Sequence, residues 1–173
     1  MNKEKKKIDE ILRVNHAGEY GAQIIYKSQI RFSKNNLLKK ELKKISSEEM
    51  VHLDYFQEQI LKNRTRPTIM QPFWKVGGTA LGLVSSLLGE KYVHACTEAI
   101  ENTIVDHYQE QVKYLKKKNV RSDLRKKIMK FCEEENQHKL NSQKKNDDNK
   151  GTFFFKQITK NITKLAIRIS KKL

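Results

Sequence analysis

Residues that interrupt helices are scarce in this chain. Seven glycines and two prolines in 173 residues leave few sites for the turns of a sheet, and no stretch alternates with the period of a strand. An all-α fold follows, at a length suited to a single domain, 1–173, with a full core. Two cysteines, Cys96 and Cys132, are too few for a disulfide framework and lack zinc spacing. They read as small buried side chains in a reducing compartment. No apolar run reaches the roughly twenty residues that span a bilayer. The N-terminus, Met-Asn-Lys-Glu-Lys-Lys-Lys, leads into a helical pattern with no apolar signal segment, so neither export nor a cleaved targeting peptide is expected. Acidic residues are also short: the net charge is +16. The excess is almost all lysine, so planar guanidinium contacts to phosphate and guanine are few. No nucleic-acid motif accompanies it. Lys, Asn and Ile are all abundant, as an AT-rich genome would give, which accounts for part of the charge. An anionic membrane surface is a better partner than nucleic acid.

What the chain does contain is one short pattern twice: Glu49-Met-Val-His52 and Glu135-Asn-Gln-His138, both Glu-x-x-His. Upstream of each lies a glutamate within a helical stretch, Glu19 and Glu101. Positions i and i+3 share a helix face, so each Glu-x-x-His aims a carboxylate and an imidazole at one point. A Glu plus Glu-x-x-His, repeated, is the ligand set of a carboxylate-bridged di-metal site in a four-helix bundle. The spacing agrees. Lys34, midway between 19 and 49, lies in the polar turn sequence Ser33-Lys34-Asn35-Asn36; Lys118, midway between 101 and 135, stands beside Asn119 and just before Ser122-Asp123. If each pair folds back at its midpoint, both members sit about 22 Å from the turn, at a rise of about 1.5 Å per residue. Ligands on partner helices then share a height.

The faces agree as well. The inward stripes read Ile8, Ile11, Asn15, Glu19, Ala22, Tyr26 on the first helix and Leu38, Leu42, Ile45, Glu49, His52, Phe56, Ile60 on the second. They read Val93, Thr97, Glu101, Ile104, Tyr108, Leu115 on the third and Leu124, Ile128, Phe131, Glu135, His138 on the fourth. A glutamate interrupts every apolar stripe. One such motif on a Lys- and Glu-rich helix is usually a solvated face; two, each with an upstream Glu at matching depth, are not. An isolated buried carboxylate neutralises or finds a cation, so four on inner faces require a shared cation cluster. Carboxylates and imidazoles without thiolate suit iron or manganese better than zinc, and oxygen chemistry favours iron.

Two segments lie outside this pattern. Phe73 to Gly89, within a long crossover spanning 66–91, is the least polar stretch. It reads either as a buried crossover helix or as an interfacial segment, with Pro67 and Pro72 marking a non-helical start. Residues 153–173 form an amphipathic helix. Its apolar stripe is Phe154, Ile158, Ile162, Leu165, Ile169, and its basic stripe is Lys156, Lys160, Lys164, Arg168, Lys172. That helix reads as lying on an anionic membrane or as packed on the bundle with its lysines in water. Asn141 to Gly151 reads as a polar linker. A di-metal bundle beside a membrane suits a lipid-soluble substrate.

The stretches Leu12-Arg-Val-Asn-His-Ala-Gly-Glu-Tyr-Gly-Ala22, Arg66-Pro-Thr, Ala95-Cys-Thr-Glu-Ala-Ile-Glu101 and Asp106-His-Tyr108 resemble the demethoxyubiquinone hydroxylase family, from about Ile11 to the C-terminus. The resemblance implies a ferritin-like, membrane-associated di-iron monooxygenase. It would hydroxylate the ring of 5-demethoxyubiquinol with O₂ in the penultimate step of ubiquinone biosynthesis, one oxygen atom entering the ring and the other leaving as water. It implies Glu19, Glu49, His52, Glu101, Glu135 and His138 as ligands of two iron ions, with Glu49 and Glu135 bridging. It also implies a polyprenyl benzoquinol substrate and NADH, or the quinol itself, as electron source, although no dinucleotide fingerprint is present. His107 and Tyr108 would serve electron delivery and substrate gating; packing of Tyr108 with a satisfied hydroxyl is the structural alternative. His16, one turn before Glu19, would orient that carboxylate or hydrogen-bond to backbone. The chain departs from the family at Asn15, where Asp is common, at Asp106, where His is common, and after His138, where a His- and Asp-rich run is missing. The place implied is the cytoplasmic face of a bacterial inner membrane, with a ubiquinone-biosynthesis complex or a homo-oligomer as assembly. Two other classes share parts of this pattern: an iron-storing or iron-oxidising bundle of the ferritin or rubrerythrin kind, and a basic surface-binding protein without chemistry.

Overall fold

The computed structural model describes residues 3–146 and 149–173. Six helices account for nearly all of them: α1 (Lys3–Phe32), α2 (Asn36–Lys62), α3 (Gln71–Leu88), α4 (Glu90–Lys118), α5 (Ser122–Lys145) and α6 (Lys150–Lys172). No strand occurs among the described residues. The order is two long helices, an apolar crossover helix, two more long helices and a final amphipathic one, which is the ferritin-like plan. The chain divides into two compact units, Met1–Val93 with Lys164–Leu173, and His94–Thr163.

In the first unit α1 is the central element and packs on both α2 and α3. The turn falls where the sequence placed it, at Ser33–Asn35. Asn35 caps α2, its Oδ1 accepting from the amides of Leu37 (2.9 Å) and Leu38 (3.2 Å), which satisfies two of the N–H groups a helix start leaves over. Ala22, Tyr26, Leu38, Leu42, Ile45 and Val93 form a core cluster. Gln23 bonds Ser46 on α2 twice, through the Ser46 carbonyl and hydroxyl.

α3 reaches α1 through small residues. A Cβ at Gly82 would stand 2.6 Å from the Ile25 carbonyl oxygen and 2.6 Å from Ser28 Cβ, so only glycine permits the approach. Ser28 Oγ donates to the Thr79 carbonyl (2.8 Å) and Gln29 Nε2 to Ser85 Oγ (3.0 Å). Gly82 and Ser85 are the buried residues of α3, while Phe73 is 64% exposed, Val76 71% and Leu87 73%. The crossover is therefore a helix laid on α1 with its large apolar groups outward, and a buried crossover is excluded. Pro67 lies in the loop, but Pro72 sits inside the first turn of α3. The expected non-helical start is corrected there, because a proline in the first turn removes an N–H that has no helical partner. Gly89 alone joins α3 to α4, with φ +105°, a value L side chains avoid.

The second unit holds most of α4, all of α5 and the first part of α6. Its turn again matches the sequence: α4 ends at Lys118 and α5 begins at Ser122, with Asn119 and Arg121 at φ 51° and 48°. The Arg121 guanidinium grips Asp123 in a two-pronged ion pair, both bonds 3.1 Å. The expected polar linker at 141–151 is largely helical. α5 runs to Lys145 and α6 starts at Lys150, with Asp147 and Asp148, like Met1 and Asn2, outside the described residues. Asn141–Lys145 contains no Gly or Pro, its lysines suit a helix C-terminus, and Ser142 is buried.

α6 corrects the reading of the basic stripe. Residues four apart drift by about 40° per step, so five lysine and arginine positions fan through about 160°. Lys156 falls opposite the apolar stripe and is buried, with Thr152, Thr159 and Ser170 on the same face. Phe154 is 67% and Leu165 56% exposed. The polar face is inside and the apolar face outside. The far end of α6 is pinned in the first unit: Arg13 Nη1 donates to the Lys171 carbonyl (3.3 Å), Trp74 Nε1 to Ser170 Oγ (3.2 Å), and the Ile69 amide to the Leu173 carbonyl (3.3 Å).

The α1–α3 crossing yields a paired test. Gly82→Ala is expected to destabilise the protein by about 1–3 kcal/mol through overpacking. Gly77→Ala, with nothing within 4 Å of its Cβ, is expected to stabilise it by up to about 1 kcal/mol through helix propensity. Urea denaturation of the two variants reads both signs.

Candidate metal centre

Every residue of the four stripes is buried. Burial on these stripes removes each glutamate from water, and an ionised carboxylate in that setting requires compensation. In the first unit Glu19 comes from α1, and Glu49 and His52 from α2. All three are at most 1% exposed. His52 Nδ1 lies 3.2 Å from Glu49 Oε2 and 3.9 Å from Glu19 Oε2, and one ligand atom from each lies within 4.8 Å of the others. In the second unit Glu101 comes from α4, and Glu135 and His138 from α5. Both glutamates are fully buried, and His138 Nδ1 is 3.5 Å from Glu135 Oε2. The two units share the Glu-x-x-His pairing, and in the first the upstream Glu19 also comes within reach of the imidazole. Each imidazole turns Nδ1 toward the carboxylate three residues before it, and a second carboxylate stands on the preceding helix of the hairpin. The donors are hard oxygens and imidazole nitrogen, a set suited to a first-row divalent metal. A buried Glu/His cluster of this kind could hold a metal.

Large aromatics flank both triads. Tyr26 and Phe56 in the first unit, and Tyr108 and Phe131 in the second, are at most 1% exposed. Each stands one or two turns from a triad residue on its own helix. Tyr108 lies on the α4 stripe. His107 does not; it is partly buried, its Nδ1 3.9 Å from Glu110 Oε2. Asn15 is buried on the α1 stripe, and Asp106 is exposed.

His16 takes neither role the sequence offered it. Its Nε2 bonds the Gln57 side-chain carbonyl at 2.6 Å, joining α1 to α2, and burial holds its pKa below the ordinary value of 6.5 against a smaller raising effect of that hydrogen bond. Nothing in the pattern singled out Gln57, since an exposed glutamine carries no signal of its own. Cys96 is buried as expected, whereas Cys132 is half-buried. Burial first, then nearby carboxylates, pushes the Cys132 thiol up, so it is a poor nucleophile.

His16 sets a pH dependence. Its folded pKa is depressed, so below about 6.5 the unfolded chain takes up a proton that the folded chain refuses. Its contribution to stability is complete above that value and declines as pH falls through it. In chelator-treated protein, stability is expected to drop more between pH about 7.5 and about 5.5 for the wild type than for His16→Gln. Denaturant titrations at both pH values measure the difference.

Residues 6–170 match the family described as ubiquinone biosynthesis protein COQ7. The chain is 39% identical over 139 residues to the NADPH-dependent 3-demethoxyubiquinone 3-hydroxylase, mitochondrial, of Bos taurus, across 79% of this chain and 64% of that protein. It is 43% identical over 105 residues to the 3-demethoxyubiquinol 3-hydroxylase of Rhodospirillum rubrum, across 60% of this chain and 50% of that protein. It is 38% identical over 110 residues to the 5-demethoxyubiquinone hydroxylase, mitochondrial, of Saccharomyces cerevisiae, across 62% and 47%. The chain therefore spans less than two thirds of the length of each of these relatives. The matched region holds both Glu-x-x-His pairs with their upstream glutamates and nearly the whole of the six helices, and the chain belongs to the COQ7 family of ubiquinone biosynthesis proteins.

Proposed function

We propose that this protein is a di-iron monooxygenase that hydroxylates the ring of a demethoxyubiquinol carrying a polyprenyl tail, working at the cytoplasmic leaflet of a bacterial inner membrane. The observation that carries the reading is the twin triad: two sets of Glu plus Glu-x-x-His, all buried, with matching Nδ1-to-carboxylate geometry. Glu19, Glu49 and His52 would hold one iron and Glu101, Glu135 and His138 the other. When bound, the metal pair supplies the activation of O₂. Tyr26, Phe56, Tyr108 and Phe131 would exclude water from the triads, which strengthens every charge interaction inside. Tyr108, with His107 beside it, would gate the ring's approach. NADH or the quinol itself would be the electron source; the bovine relative is named as NADPH-dependent.

The membrane part of the proposal stands on inverted burial. No helix among the described residues is long and apolar enough to cross a membrane. Yet α3 and α6 both turn small or polar residues inward and large apolar ones outward. Water selects the opposite arrangement; a helix lying in a lipid interface shows this one. The small-residue contact of α3 with α1, laced by hydrogen bonds, is also how helices associate where lipid removes the hydrophobic drive.

Two measurements test the reading. Glu49→Ala and Glu135→Ala are each expected to lose bound iron by elemental analysis and to leave demethoxy precursor accumulating in a strain lacking its own hydroxylase. Normal ubiquinone in that strain would refute the assignment, and a large iron-filled shell on size-exclusion chromatography would favour iron storage. Val76→Ser combined with Leu87→Ser is expected to weaken binding to anionic vesicles at least about tenfold, given about 1.5–3 kcal/mol for each large side chain fully buried. Flotation reads this, with thermal stability little changed because both residues are already exposed.

A further inference from the structure

Glu98, one turn before Glu101 on α4, is bonded by side chains from two other helices of the second unit. Lys156 Nζ on α6 bonds both of its oxygens at 3.2 Å. Gln143 Nε2 on α5 donates to Oε1 at 3.2 Å, and Asn146 Nδ2, just past the end of α5, to Oε2 at 2.9 Å. The carboxylate is 8% exposed and the lysine 9%. One side chain of α4 thus gathers donors from both α5 and α6. The place matters. Gln143 lies five residues beyond His138, about 7.5 Å along the helix, so the contact closes the same end of the α4–α5 pair that carries Glu101, Glu135 and His138.

The inward face of α6 explains why a buried ion pair stands there. Thr152, Thr159 and Ser170 offer little apolar surface, so packing alone does not choose how α6 seats. A charged pair does choose, because every shifted register leaves a carboxylate buried without its ammonium. Such pairs contribute little net stability against an apolar substitute, and their better attested use is to specify one arrangement.

We propose that Glu98 and Lys156 are positioning residues for the second triad. By locking α4 to the end of α5 and to α6, they set the spacing of Glu101 from Glu135 and His138, and with it the affinity of that half of the centre for metal. This rests on the metal reading above. It assigns α6 a second task, distinct from facing lipid.

The test uses the full chain under anaerobic conditions, titrated with Fe(II) or with Co(II) as a spectroscopic stand-in. Lys156→Met is expected to weaken one of two metal equivalents by about 10–100-fold, the range seen when a group supporting a ligand is removed, and to leave the other at wild-type affinity. Glu98→Gln combined with Lys156→Met removes the buried charge as well. It is expected to stay folded, with a melting temperature near wild type, and to show the same split. A merely structural role would move both equivalents or neither. A folded double variant with both equivalents at wild-type affinity overturns the proposal. A parallel arm measures hydrogen exchange in metal-free protein, where amides 135–142 are expected to exchange at least about tenfold faster in the double variant. If the wild type binds no metal, the functional reading fails, and the exchange arm alone decides the lock: unchanged rates at 135–142 refute it.

Discussion

Buried carboxylates govern this protein. Glu19 and Glu49 in one unit, and Glu101 and Glu135 in the other, are withdrawn from water at the centre of otherwise apolar stripes. Ionised acids in such a setting are among the most costly groups a fold can contain. The rest of each unit reads as provision for them: a hairpin turn at equal distance from both acids, a histidine one turn away, and large aromatics on either side. A fold optimised for stability alone would have leucine at those positions. A cation shared among them would offset that cost.

The repeated Glu-x-x-His pairing is why so much was legible in the sequence. The four stripes and both turns follow from helical period and from the location of Ser33–Asn36 and Asn119–Asp123, all local signals. Local signals also explain the failures. Asn141–Lys145 is polar, which suggested a linker, but polarity without Gly or Pro does not stop a helix, and Ser142 faces inward. Pro72 suggested a break, but a helix start tolerates proline. Lys156 looked like one of five solvated cations spaced by four, when that spacing turns steadily about the axis and carries one of them to the inside. His16 stands one turn before Glu19 in the sequence, while its partner, Gln57, lies on another helix. No reading of one element could have found that contact.

α3 and α6 add a constraint of a different kind. A protein in water stabilises itself by hiding apolar surface, yet these two helices contribute small and polar surface to the interior and keep their large side chains outside. What fastens them is therefore directional: the close backbone approach at Gly82, the hydrogen bonds of Ser28 and Gln29, the contacts of Arg13 and Trp74 with the last turn of α6, and the Glu98–Lys156 pair. Directional contacts fix position more sharply than apolar burial does. Helices attached in this way can meet a second solvent on their outer face without losing their seat.

Lys156 also bears on how this sequence can change over time. In a genome that drifts toward AT-rich codons, lysine and asparagine replace one another freely wherever a side chain merely reaches into solvent. At position 156 that exchange would leave Glu98 facing a neutral amide in the protein interior. The most commonplace residue in the chain is, at this one site, the buried counter-charge of a carboxylate.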